Sequence, residues 1–220
     1  MNQFVSILVV LLFYFTFFAH GVMAITGGEI VKKLRDRLEN YVTYSMRFEK
    51  EFYWSALDKT RSRSGTFYMQ NPNKFRVGID NGDVVVADGT TVWSYIDRNK
   101  QVLISDYEGD LQNPWQIFVD YSTNFVTIGV KETKIAGKSA YMLSMKEESN
   151  NSLGRGLKIW VDKKKWWMLQ IEFVETNGDI TTYRLKEHKV NKKIRSSRFS
   201  FLIPDGIEVV DRRTQPFLKQ

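Results

Sequence analysis

Two spacings of apolar residues divide the chain. Ile30, Leu34 and Leu38 recur every four residues, with Lys and Arg filling the other face; this spacing predicts one amphipathic helix. Thr26 followed by Glu29 has the pattern of a capping box at its start, and the periodicity stops near Asn40. From there the period is two. Tyr44, Met46, Phe48, Phe52 and Trp54 fall on one side of an extended run interrupted by Lys50. A strand over 65–70 leads into a turn at Asn71-Pro72-Asn73, after which Phe75, Val77 and Ile79 alternate with polar or small residues. Asn81-Gly82 and Asp88-Gly89 are hairpin turns flanking the apolar run at 84–86. A further strand covers 92–96 and a further turn 97–100. Asn113 and Pro114 suit the cap and first position of a short helix, with Trp115, Phe118 and Val119 as its apolar stripe. Strands over 158–162, 166–175 and 180–189 form a meander, with Trp167, Leu169, Ile171 and Phe173 facing one way.

Consecutive hairpins with few helices predict a mainly β, α+β domain. The economical way to bury one apolar face per strand is a large antiparallel sheet curled around helices. Incomplete packing of helices on such a sheet leaves an apolar groove. No linker, fixed-period repeat or second domain is visible, so 25–220 is expected to be a single domain.

The first 24 residues stand apart. An apolar run over 4–18 ends in the small-residue pattern Val22-Met23-Ala24, which reads as a secretory signal peptide cleaved after Ala24. Its start, Met1-Asn2-Gln3, carries no Lys or Arg. An uncleaved anchor is the other reading, although the run is short for a full span. No cysteine occurs anywhere, which excludes disulfides and thiolate metal sites. Export without disulfides fits a bacterial periplasm. The net charge is +7. Lys163-Lys164-Lys165 and Lys192-Lys193, near Arg195, sit at expected turns. They read either as solvated hairpin tips or as an attraction to an anionic membrane or partner.

Catalytic signatures are missing. Beyond residue 24 the chain has one histidine, His188, expected to be an ordinary surface or strand-edge residue. There is no G-x-S-x-G elbow, no HExxH or clustered His, and no P-loop. Gly154-Arg155-Gly156 lacks the third glycine of a dinucleotide fingerprint, since Ile159 stands there. Asp106, Glu108 and Asp110 form a small acidic cluster in an expected loop. No enzyme, cofactor or metal is predicted.

Three segments, taken in order, resemble one family. Gly65-Thr66-Phe67-Tyr68-Met69-Gln70-Asn71-Pro72-Asn73-Lys74-Phe75-Arg76 resembles a strand leading into R-P-x-x-F. Val86-Ala87-Asp88-Gly89-Thr90-Thr91-Val92-Trp93-Ser94-Tyr95 is close to V-S-D-G-x-x-(L/V)-W-x-Y. Phe199-Ser200-Phe201-Leu202-Ile203-Pro204-Asp205-Gly206-Ile207-Glu208-Val209 is similar to F-x-F-x-x-P-x-G-V-x-V. These are the motifs of the periplasmic lipoprotein carrier (LolA-like) family.

The resemblance covers nearly the whole chain after residue 24. It is weakest over 109–137, where the family's lid helices fall. It implies a half-open antiparallel β-barrel with short α-helices over its mouth and an acyl-chain cavity between them. Phe75, Val77 and Ile79 match cavity-facing positions, and Leu34 and Leu38 match the closing helix. Val85, Trp115 and Phe118 complete the expected lining. Asn71 stands where the family has an arginine that ties barrel wall to lid, and Val77 where it has an aromatic residue. The implied function is a monomeric periplasmic carrier, loaded by an ATP-driven (ABC-type) inner-membrane lipoprotein exporter and unloaded at an outer-membrane acceptor. A periplasmic sensor or regulator of lipidated ligands, and a carrier of free lipid, are the alternatives.

Overall fold

The computed structural model describes residues 25–108, 125–148 and 155–214. Helix α1 (Gly27–Glu39) opens the described chain, and the capping box forms as expected. The Thr26 hydroxyl accepts from the Glu29 amide at 3.2 Å, and the Glu29 carboxylate accepts from the Thr26 amide at 2.7 Å. Such a cap stabilises a helix by about 1 kcal/mol. The apolar stripe Ile30, Leu34 and Leu38 is buried, each side chain contributing roughly 1.5–3 kcal/mol.

Twelve strands among the described residues form one sheet. They are β1 (Thr43–Trp54), β2 (Lys59–Gln70), β3 (Lys74–Ile79), β4 (Val84–Ala87), β5 (Thr91–Ile96), β6 (Gln101–Asp106), β7 (Phe125–Ile135), β8 (Lys138–Glu147), β9 (Gly156–Asp162), β10 (Met168–Val174), β11 (Ile180–Val190) and β12 (Glu208–Asp211). Their spatial order is β12-β6-β5-β4-β3-β2-β1-β11-β10-β9-β8-β7. Every pair is antiparallel except β12 with β6, which is parallel. Strands β7 and β12 are the two edges, so the sheet is open.

The helix shows that this sheet is curled. At its N-terminus Gly27 lies so close to β7 that a Cβ there would stand 2.3 Å from Thr127 Cγ2. At its C-terminus the Glu39 carbonyl accepts from Asn71, in the β2–β3 turn. Strands β7 and β2 are six steps apart, about 29 Å in a flat sheet. Helix α1, at 13 residues, is only about 20 Å long. The sheet therefore wraps around the helix, and one continuous core joins α1 to Tyr44, Phe48, Phe67, Met69, Phe75, Leu143, Ile159, Met168 and Ile171.

The convex face carries a second, smaller apolar layer. Val86, Val102 and Ile104 are buried there but stand outside the main core. The segment from Arg195 to Phe201 crosses this face and brings buried Phe199 with it. Arg76 donates to the carbonyls of Arg198 and Ser200, the Arg198 guanidinium lies 4.6 Å over the Tyr68 ring, and Tyr95 meets Phe201. The crossing delivers the chain to the sheet edge in the direction of β6, which makes that last pair parallel.

Several expectations shift. Strand β2 starts at Lys59, not residue 65, because the β1–β2 hairpin extends past the core; Trp54 near its tip is exposed. The second half of the 109–137 stretch is strand β7, not lid helix. The apolar run in β10 does not keep one face. A register shift between Met168 and Gln170 puts Met168 and Ile171 in the main core and leaves Leu169 outside it. The helix expected at Asn113 lies outside the described residues.

Gly65 is where the curled sheet admits no side chain. A Cβ there would stand 2.3 Å from the Gly78 carbonyl oxygen and 2.6 Å from Phe48 Cζ. Gly65→Ala is expected to destabilise the fold by about 1–3 kcal/mol, read as a lower urea midpoint with unchanged slope. Gly28→Ala, with open space at the same atom, is the control and should lose no stability.

Candidate lipid-binding interior

The inner face of the sheet grades from closed to open. Near the β2–β3 turn it lies under α1, where Leu34 (2% exposed), Leu38 (6%) and Phe75 (1%) are core residues. Further from the helix, Val77 pairs across to Phe67 and Val85, and Ile79 lies opposite Gly65. Val77, Ile79 and Val85 are half-buried and pack against the core, as are Met46, Phe173 and Tyr183 on β1, β10 and β11. The result is an apolar strip on the inner face, continuous with the core and partly open to solvent.

The structure thus divides the residues singled out from sequence. Leu34, Leu38 and Phe75 sit at the floor. Val77, Ile79 and Val85 sit together on the half-open strip. Trp115 and Phe118 lie outside the described residues. Met46, Phe173 and Tyr183 join the strip without having been picked out. Met46 was visible in the alternation of β1. Tyr183 was not, because a left-handed residue at Glu187 (φ 57°) shifts the register of β11 against β1.

Asn71 is a latch on the helix. Its side-chain amide donates to the Tyr41 carbonyl at 2.7 Å and the Glu39 carbonyl at 3.3 Å, while its backbone N–H donates to Val42. These carbonyls belong to the end of α1 and the turn after it, where a helix leaves acceptors unpaired. An arginine is therefore not needed to join wall to helix at this position.

His188 overturns its expected role as a surface residue. It is 8% exposed. Nδ1 lies 2.6 Å from the Tyr44 hydroxyl and Nε2 lies 3.3 Å from the Leu185 carbonyl. A carbonyl only accepts, so the proton is on Nε2 and the Tyr44 hydroxyl donates to Nδ1. Burial, with Lys138 and Lys165 nearby, lowers the histidine pKa to about 4, partly opposed by the Leu185 carbonyl and Asp162. Of the acidic cluster, Asp106 accepts from the Thr214 amide at 2.7 Å, and Asp110 lies outside the described residues. No group of three or more His, Cys, Asp or Glu among the described residues is placed to hold a metal ion. No described helix is long and apolar enough to cross a membrane.

An open sheet wrapped on one amphipathic helix, with an apolar strip at its mouth, agrees with a sequence match. The signature of the outer membrane lipoprotein carrier protein LolA family covers residues 39–202. The chain belongs to this family. An outer-membrane lipoprotein carrier protein of Chromohalobacter salexigens is 24% identical over 187 residues, 84% of this chain and 87% of that protein. An uncharacterized protein of Methanocaldococcus jannaschii is 26% identical over 218 residues; the match covers 96% of this chain but only 61% of that longer protein. Among solved structures, an uncharacterized conserved protein from Thermus thermophilus superposes with a TM-score of 0.56 at 16% identity, over 82% of this chain and 98% of that one. This last likeness is one of fold. The LolA family match and the open, curled sheet bear out the fold class read from the sequence.

Two outcomes follow from this geometry. Asn71→Ala leaves the α1 carbonyls without their side-chain donor and should cost about 1–2 kcal/mol. Faster amide hydrogen exchange over 27–41, with exchange in β9 unchanged, would locate that loss at the helix. His188 binds a proton far less readily when folded than at its unfolded pKa of about 6.5. Its contribution, about 3 kcal/mol at most, is fully present above that value and lost as pH falls toward 4. The thermal midpoint of the wild type should therefore fall more between pH 6.5 and 4 than that of His188→Gln.

Proposed function

We propose that this protein is a carrier that shields the acyl chains of lipoproteins and moves them from the inner to the outer membrane. It works in the periplasm, exported by residues 1–24. The observation that carries this reading is the graded inner face. Val77, Ile79, Val85, Met46, Phe173 and Tyr183 are half-buried, share one side of an open sheet and pack against the core, with the Lys50 ammonium 5.5 Å over the Tyr183 ring.

The physical task fits such a surface. Each methylene brought out of water is worth about 0.8 kcal/mol, so exposing one long acyl chain costs on the order of 10 kcal/mol. A transferring protein must offer apolar area while still releasing its cargo. Half-buried side chains meet both needs, since part of their own area is already covered in the empty protein. The chemistry is binding, not bond-making, and requires no cofactor or metal. An ABC-type inner-membrane exporter would load the carrier and an outer-membrane acceptor would receive the cargo. The carrier itself acts as a monomer.

Charge placed on the strip tests this. Val77→Glu and Ile79→Glu would each force a carboxylate to lose water when an acyl chain enters. Displacement of a bound fluorescent fatty acid by a triacylated lipopeptide should weaken at least about tenfold in either variant, with little change in melting midpoint. Phe75 is unsuitable for this purpose, because truncating a side chain so buried costs about 3–5 kcal/mol of stability. Unchanged displacement in both variants would refute the site. Co-purification with an anti-sigma or other signalling partner, with no lipoprotein bound, would favour a regulator instead.

A further inference from the structure

The geometry points to a membrane-docking face at the end of the sheet where β7 turns into β8, β9 turns into β10, and β11 leaves for the convex side; its partner is an anionic lipid bilayer surface. This inference stands apart from the carrier reading, because it uses none of the acyl-binding strip.

The strand register gathers these turns at one end. Lys138 pairs with Ile135 across the β7–β8 turn, Asp162 lies opposite Ala140, and the Lys163 amide donates to the Ser139 carbonyl at 3.0 Å. Val190, the last residue of β11, lies opposite Tyr44, and the Asn191 side chain accepts from the Val42 amide. Lys138, Lys164, Lys165, Lys192 and Lys193 are all exposed, and none forms an ion pair with a described residue. Two of the acidic groups here are engaged, while Glu187, three residues before the end of β11, is exposed. The Asp162 carboxylate is buried and accepts from the amides of Lys164 and Lys165, and Glu132 is paired to Lys163 at 2.6 Å. The charge left facing outward is positive in excess, five lysines against Glu187.

Aromatic rings are set into the same end. The Lys165 ammonium lies 4.3 Å over the Trp167 ring, Lys33 lies 4.3 Å over Trp166, and Lys163 lies 4.9 Å over Tyr141. Trp167 in turn packs against His188, their rings tilted by 30° with centroids 4.9 Å apart. Beside Lys192, Val42 is 64% exposed. Trp166 belongs to the buried core, but half-buried Trp167 and Tyr141 under lysines, with exposed Val42 at the same end, have the composition that partitions to a lipid headgroup region. Unpaired lysines add attraction to anionic lipids that fades with salt. The turns at the opposite end mix Asp58, Asp80, Asp83, Asp97, Glu175 and Asp179 with Lys59, Arg98 and Lys100, so charges of both signs stand there. The excess of unpaired lysines at one end, against mixed and partly paired charges at the other, gives docking a direction.

Co-sedimentation of the cell-expressed protein with vesicles tests the inference. Vesicles of phosphatidylcholine with about 30 mol% phosphatidylglycerol are compared with pure phosphatidylcholine at low and high salt. Binding is expected to the anionic vesicles only, and to be released by salt. Lys164→Glu/Lys165→Glu/Lys192→Glu should lower the partition coefficient at least about tenfold. Lys59→Glu/Arg61→Glu/Arg63→Glu changes the net charge equally, at the far end of the β1–β2 hairpin, and should lower it less than about threefold. Matched melting curves exclude unfolding as the cause. Equal losses in both variants would mean diffuse attraction by net charge and overturn the docking face. So would salt-insensitive binding, or no binding to the anionic vesicles. Loss of vesicle binding in the lysine variant with lipopeptide displacement intact separates this face from the acyl-binding strip.

Discussion

The burial of one helix stripe against a sheet too wide to lie flat is the constraint on which this structure rests. Ile30, Leu34 and Leu38 give α1 a single apolar face, and the strands that cover that face stand far apart in sheet order. The sheet must curl to reach both ends of the helix. Curling sets the hollow, and the helix fills only part of it. Among the described residues, one 13-residue helix faces a sheet of twelve strands, and an apolar strip of the inner face is half-open.

Each end of the helix is held by a different device. The capping box and the close approach of Gly27 to Thr127 fix the start against β7. Asn71 fixes the end against the β2–β3 turn. Between them, the Tyr44–His188 hydrogen bond ties β1 to β11 below the helix, in a form that requires neutral histidine. The convex side is closed separately by the segment through Phe199, so the two apolar faces of the sheet do not compete for the same cover.

Much of this was legible in the sequence, for reasons that can be named. The stripe at every fourth position and the Thr26–Glu29 pair are local signals, and both appear as read. The turns at Asn81-Gly82 and Asp88-Gly89 need left-handed residues that glycine supplies, and Gly82 and Gly89 both have positive φ. What escaped were features that local spacing cannot encode. The register shift near Leu169 and the left-handed Glu187 each reverse the inward face of a strand partway along it. The burial of His188 depends on Tyr44, 144 positions away. Strand β7 was hidden because Val126, Ile128 and Val130 are exposed on an edge, so its pattern does not read as half-buried. The family motifs located Phe75, Val77 and Ile79 on one strand, but only the packing separates the buried floor from the half-open strip.

The central claim is that acyl chains occupy the inner strip. Photo-crosslinking with a lipopeptide carrying a diazirine on its acyl chain, followed by peptide mass spectrometry, tests it most directly. The account predicts adducts at Met46, Val77, Ile79, Val85, Phe173 and Tyr183, suppressed by excess unlabelled lipopeptide. Suppressible adducts on the convex side instead, at Tyr95, Phe201 or Leu202, would contradict it.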